Sequence, residues 1–279
     1  MLRRSIYKTP AQLRSMVEPG LITAAALAEV RGLVAPGVTT LELDAAASAV
    51  IRGRGAVSNF QMVRGYRYTV CTSVNQEVVH GIPTDRVLQP GDIVSIDAGA
   101  EFRGWNGDSA ITIVVPDPDR PELVAERERL SQVTEGSLWA GIAALATASH
   151  LAEIGAAIQG HIEANQPDGA PYGILREYVG HGIGRKMHES PSVFNYRVSD
   201  PGPEVRPGLA VAIEPMVVIG SDETFVEDDG WTVSTVDGTA GSHWEHSVAV
   251  HDGGIWVLTA PDGGAAGLAP FGVTPRQIS

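Results

Sequence analysis

Two similar stretches of this sequence each close on a carboxylate, and each is followed by a second one. Pro90-Gly91-x-x-Val94-x-Ile96-Asp97 recurs 117 residues later as Pro207-Gly208-x-x-Val211-x-Ile213-Glu214. In each copy a turn dipeptide leads into a short alternating run that ends on an acid. Each half then supplies a second acid ahead of an apolar stretch, Asp108 before residues 109–115 and Glu245 before residues 247–250. Neighbouring carboxylates repel, and burial would raise their pKa values. Divalent cations remove that conflict and are the natural partners of oxygen ligands. Asp97 is expected to end its strand and Asp108 to open the next, with a Gly-rich connection over 99–107. A hairpin would then set both side by side. For these two alone, a solvated hairpin tip with ordinary acids is the more ready reading. Glu214 argues for more, because it follows the apolar run 209–213 and precedes Pro215, away from open surface. Its bland reading is a buried structural acid paired with Arg or Lys. Glu245 lies in His243-Trp244-Glu245-His246, where spacing does not decide which of the three polar side chains is a ligand.

The other histidines divide similarly. His181 sits in Gly180-His181-Gly182-Ile183-Gly184, where the absence of bulky neighbours lets a metal or substrate approach the ring. The loop lacks the Gly-Lys-Ser/Thr ending of a phosphate-binding loop, and His188-Glu189 has Ser192 rather than histidine four residues after His188, so no zincin helix is present. His80 ends the apolar run Val78-Val79 before Gly81-Ile82-Pro83; taken alone, it reads more readily as a structural histidine.

Elements that could position these groups follow from local signals. Thr9-Pro10 starts a helix, Glu18-Pro19-Gly20 is expected to kink or break it, and Ala35-Pro36-Gly37 ends it. Thr39 with Glu42 forms a capping box for a second helix up to Gly53. Strand-like runs cover 68–73, 93–96, 111–115, 210–213, 231–236 and 247–250. Residues 121–165 read as two helices parted near Thr147-Ala148-Ser149, and the Gly/Pro-rich tail 261–279 is expected to hug the surface. The chain thus reads as one α+β domain, 1–279, with a helical segment over about 1–55 and pseudo-symmetric halves over about 56–148 and 149–260.

Composition narrows the function. With 43% hydrophobic and 19% charged residues the chain is globular rather than disordered. The single cysteine, Cys71, rules out an intrachain disulfide. A net charge of −13 argues against nucleic acid as a direct partner. Residues 1–4 are basic but no apolar segment follows them, and the longest apolar run, 138–148, is shorter than the ~20 residues of a membrane helix. A cytoplasmic protein without a membrane partner is expected.

In order and at similar spacing, several motifs resemble the type I bacterial methionine aminopeptidases. They are Thr9-Pro10, residues 71–83, residues 90–97, Asp108, residues 180–191, Ile213-Glu214-Pro215-Met216, Asp229-Gly230-Trp231-Thr232 and Trp244-Glu245-His246. The resemblance implies the α+β pita-bread (creatinase/aminopeptidase-like) fold, two pseudo-twofold halves around a central antiparallel sheet. It implies that Asp97, Asp108, His181, Glu214 and Glu245 bind two divalent ions, with Asp108 and Glu245 bridging. Four carboxylates would balance two such ions, and the oxygen-rich set suits Co, Mn or Fe, with Zn or Ni also possible. It further implies removal of N-terminal methionine by a cation-activated water, preferentially ahead of a small second residue, with Glu214 taking the water proton. His188 would stabilise the oxyanion and His80 would contact the scissile amide nitrogen. Tyr66, Cys71, Trp231 and His80 would line the methionine pocket, with Met187 where an aromatic residue commonly sits. Arg67 follows Tyr66 where the family usually has proline, so loop geometry there is expected to differ. Substrates would be nascent polypeptide N-termini, the ribosome is a candidate partner, and a monomer is the family expectation. A prolidase or Xaa-Pro aminopeptidase shares the fold but usually shows Glu-Pro-Gly where this chain has Glu214-Pro215-Met216. A binding module descended from the fold would be expected to have lost ligands.

Overall fold

A computed structural model describes residues 5–279, and the basic stretch 1–4 weighed above lies outside the described residues. Helix α1 spans Pro10–Leu33 and α2 spans Thr40–Gly53. Both open on reciprocal capping boxes, Thr9 with Gln12 and Thr39 with Glu42. Of the kink or break expected at Glu18-Pro19-Gly20, the break does not occur, and α1 runs through Pro19. Tertiary contact overrides the local signal here. A Cβ on Gly20 would lie 2.4 Å from the Leu258 carbonyl oxygen. Thr23 Oγ1 bridges the carbonyls of Pro19 (3.0 Å) and Gly107 (3.3 Å), which ties helix to sheet.

Strands β1 (Val57–Ser58), β2 (Val70–Val74), β3 (Glu77–Val79), β4 (Ile93–Phe102) and β5 (Trp105–Val114) follow. Helices α3 (Pro121–Ala144) and α4 (Ala152–Asn165) come next, parted where expected. The second series of strands is β6 (Gly173–Ile174), β7 (Gly180–Gly182), β8 (Glu189–Val193), β9 (Ala210–Ile213) and β10 (Met216–Val218). It continues with β11 (Thr224–Val226), β12 (Val233–Thr235), β13 (Gly241–His243), β14 (Glu245–His251) and β15 (Gly254–Val257), before the short α5 (Ala265–Leu268). Nine strands form one sheet, in the order β1-β4-β5-β14-β9-β7-β8 with β2 added on β4 and β15 on β14. Every pairing in it is antiparallel. Two three-stranded sheets, β13-β10-β6 and β11-β12-β3, flank it.

Helices α1 and α2 pack together ahead of β4–β5, and α3 and α4 pack together ahead of β9 and β14. The repeating unit therefore takes in its own helix pair. The two halves join at the β5–β14 seam. In the tail Leu268 is buried, and the Arg276 N–H donates to Ile255 O (2.9 Å), so it lies against the body of the protein. Among the described residues no helix is long and apolar enough to cross a membrane.

Candidate active site

One face of the central sheet carries the acids. Asp97 is paired with Ala110 and Asp108 with Gly99 across β4–β5, so with two-residue alternation the carboxylates are diagonal neighbours on the same side. Across the seam Glu245 also opposes Ala110, and further out Ser247 opposes Ala212, which in turn opposes His181. Ala110, Ala212 and Ser247 thus form a low floor between the larger groups. The β4–β5 hairpin was expected to turn immediately after Asp97. Instead both strands run on to Phe102 and Trp105, and Asp97 and Asp108 lie mid-strand. The intervening glycines answer close packing rather than a turn. A Cβ on Gly99 would meet the Asn59 side chain at 2.1 Å, and one on Gly107 would meet Gly20 Cα at 2.7 Å.

Alternation also resolves His243-Trp244-Glu245-His246. Glu245 opens β14 facing the acids, whereas His246 faces away, with Nδ1 2.9 Å from Thr259 Oγ1 and its ring against Trp139. His243, at the end of β13, is a residue the motif did not single out. It is buried, and its Nε2 is 3.7 Å from Glu214 Oε2.

Electrostatically the cluster is unbalanced as it stands. Asp97, Asp108 and Glu245 offer oxygens within 4.8 Å of one another, and His181, Glu214 and Glu245 form a second such set sharing Glu245. His188 joins Asp108 and His181 in a third. Burial, reinforced by neighbouring acids, holds the Asp108 and Glu245 carboxyls well above the usual carboxylate range. Burial likewise pushes Asp97 and Glu214 up to about 7. Asp97 Oδ1, Asp108 Oδ1 and Glu245 Oε1 are buried without a hydrogen-bond partner, a costly arrangement unless a cation fills it. The His181 ring agrees. Its Nδ1 lies 3.0 Å from Gly182 O, and donation there leaves the Nε2 lone pair aimed between Glu214 Oε1 (3.4 Å) and Asp108 Oδ2 (3.9 Å). A lone pair facing two carboxylate oxygens fits a shared cation.

Beside the acids lies a cavity of about 150 Å³ lined by Phe60, Tyr66, Cys71, Met187 and Trp231, among others. Tyr66 meets Trp231 edge-on at 5.1 Å, and its hydroxyl donates to Val70 O (2.7 Å), which fixes the wall. Cys71 pairs with Asp97 across β2–β4 and is buried; burial, then the Asp97 charge, raises its thiol well above the usual range, so it serves as an apolar wall. Met187 packs in the same apolar cluster, so the departure from an aromatic residue leaves the wall closed. His80 and His188 line the cavity at its junction with the acids. His80 holds φ +61°, a conformation that costs a non-glycine residue on the order of 1 kcal/mol. The segment is pinned there: Thr72 N–H donates to Gly81 O (2.8 Å), and Gly81 N–H donates to Ser73 Oγ (3.0 Å). Burial lowers His80 to about 4 and also lowers His188, so both are neutral imidazoles near pH 7.

The sequence profile of metallopeptidase family M24 matches residues 14–252. The chain belongs to metallopeptidase family M24. Within the family it groups with the bacterial methionine aminopeptidases. It is 44% identical over 254 residues to methionine aminopeptidase 1 of Mycobacterium tuberculosis, covering 90% of this chain and 94% of that one. The crystal structure of a methionine aminopeptidase from Thermotoga maritima superposes with a TM-score of 0.84 at 36% identity, over 91% and 98% of the two chains. The prolidase of Pyrococcus furiosus, at 19% identity and TM-score 0.69, shares the fold; the match covers 91% of this chain but only 65% of the prolidase. M24 membership and a cluster of buried, unpartnered oxygens together indicate divalent-metal use.

Proposed function

We propose that the chain removes the N-terminal methionine from nascent proteins and peptides in the cytoplasm, preferentially when the second residue is small. The observation that carries this reading is the junction of a carboxylate-rich metal cluster with a short apolar cavity. The cluster suits a free chain terminus and the cavity suits one flexible apolar side chain. Asp97, Asp108, His181, Glu214 and Glu245 would hold two ions of the Mn, Fe or Co type, with Zn or Ni as alternatives. Bound there, such ions would offset the carboxylate charge and acidify water.

The protein's own groups supply the rest. Tyr66, Cys71, Met187 and Trp231 enclose the methionine side chain and exclude water from the bond that breaks. Glu214 receives the proton of the attacking water and passes it to the leaving amine. The neutral His188 donates a hydrogen bond to the carbonyl oxygen as negative charge develops on it. His80 meets the scissile nitrogen as a neutral hydrogen-bonding partner. The buried Nδ2 of Asn195 donates to the Glu214 carbonyl (3.0 Å) and fixes the strand end that presents this base.

Release of methionine from Met-Ala-Ser by metal-loaded protein, with no cleavage of Ala-Pro peptides, is the expected result. Varying only the second residue tests the size preference. A preparation that takes up no divalent ion and frees no methionine would overturn the reading.

A further inference from the structure

The methionine cavity opens past His188 into two further spaces of opposite charge. The inner space, about 530 Å³, shares His80, His181, His188 and Glu214 with the cavity, and its walls carry Glu177 and Glu189 but no lysine or arginine. The outer groove, about 670 Å³, meets the inner one at His188, Glu189 and Ser190, and carries Lys8, Arg185 and Lys186 against one carboxylate, Glu189. That carboxylate is already engaged. Its Oε2 lies 3.1 Å from Lys8 Nζ, and its Oε1 accepts the Lys186 backbone N–H at 3.0 Å. Arg185 is held in place, its guanidinium carbon 4.1 Å over the Trp105 ring and Nη1 donating to Gly104 O (3.0 Å). It is a cation ordered in advance of any ligand. Lys186 is exposed, and among the described residues no carboxylate pairs with its side chain. On a chain of net charge −13 this groove is locally positive.

The shared residues define a path. On this path the first side chain would fill the apolar cavity and the next residues would cross the inner space. An extended chain advances about 3.4 Å per residue, so residues beyond the first few would be the ones to reach the basic groove. We propose that this outer groove binds residues four to six of the substrate and selects for acidic side chains there. The inference rests on the aminopeptidase reading and extends it from the first residue to the downstream segment.

The test compares Met-Ala-Ser-Asp-Asp-Asp with Met-Ala-Ser-Lys-Lys-Lys, with Met-Ala-Ser as reference. At low salt kcat/KM for the acidic peptide should exceed that for the basic one by about five- to tenfold, carried by KM. The ratio should shrink toward one in about 0.5 M NaCl. Lys186→Glu should bring it to one or below, and Lys186→Arg should preserve it. Because each ratio is taken within one variant, partial loss of folded protein cancels. Absence of turnover on Met-Ala-Ser would count against the aminopeptidase reading itself. In that case anisotropy of labelled hexapeptides still reports the charge preference. Turnover of Met-Ala-Ser with a ratio of one, or with the basic peptide preferred, would overturn the groove assignment and leave the aminopeptidase reading standing.

Discussion

At the scale of single residues, strain and chemistry meet at His80. A histidine at φ +61° spends conformational energy that glycine would not, while Gly81 beside it is locked against β2. His80→Gly should relieve that strain while losing the ring contact with Tyr178. Stability is expected to stay within about 1 kcal/mol of the parent, while methionine release falls by about a hundredfold or more. Chemical denaturation beside a peptidase assay checks both halves, and parental turnover would remove His80 from the reaction. His188→Ala is expected to lower kcat by about a hundredfold with the protein still folded, measured on the same peptide. Asp97, Asp108 and Glu214 stood out in the sequence because each ends or opens a strand-like run in a repeated pattern, and His181 because of its Gly-rich loop. The choice within His243-Trp244-Glu245-His246 was not, because it depends on which face of β14 meets the floor. That face is set by register with β5 and β9, which spacing alone does not encode. The place of His243 was not legible for a related reason, since it approaches Glu214 from a different sheet.

At the scale of elements, the glycines of the β4–β5 hairpin carry the lesson. Read locally, 99–107 is a flexible connection and Pro19-Gly20 is a helix break. In the fold Gly107 and Gly20 mark the place where α1 lies backbone-to-backbone on β5, while Gly99 packs on Asn59. Capping boxes and helix limits were legible because they depend on residues three apart, whereas this crossing joins residues 87 positions apart in the chain. The crossing also sits one residue from Asp108. Gly107→Ala would drive a methyl to 2.7 Å from Gly20 Cα, and only movement of α1 or β5 can relieve it. A loss of about 1–3 kcal/mol in stability is expected, together with weaker metal uptake because Asp108 must move with its strand. Thermal unfolding and metal content by elemental analysis test this together. An unchanged melting temperature would mean that the helix is not seated on the sheet as described.

At the scale of the whole molecule, the two halves are held at a seam that concentrates like charge, so stability and metal occupancy should be coupled through pH. Without metal, Asp97 and Glu214 titrate near 7, against 3.8 and 4.5 for unperturbed groups, and Asp108 and Glu245 are raised as well. The native metal-free form therefore keeps protons that the unfolded chain releases from about pH 4 upward. A raised carboxyl contributes its stability fully below the unfolded pKa and loses it as pH rises through the folded one. The metal-free protein should accordingly lose this contribution between about pH 4 and 7. Metal binding has the opposite dependence, since the ligands must shed those protons first. Other groups also titrate in this window; burial holds His246, on the far face, to about 4, which works in the reverse direction. Subtracting the melting temperature of chelator-treated protein from that of metal-loaded protein at each pH cancels groups remote from the site. That gap is expected to be small near pH 5 and to widen as pH rises through about 7, where Asp97 and Glu214 give up their protons. A gap that stays constant from pH 5 to 8 would show that the seam carboxylates are not the groups that exchange protons for metal.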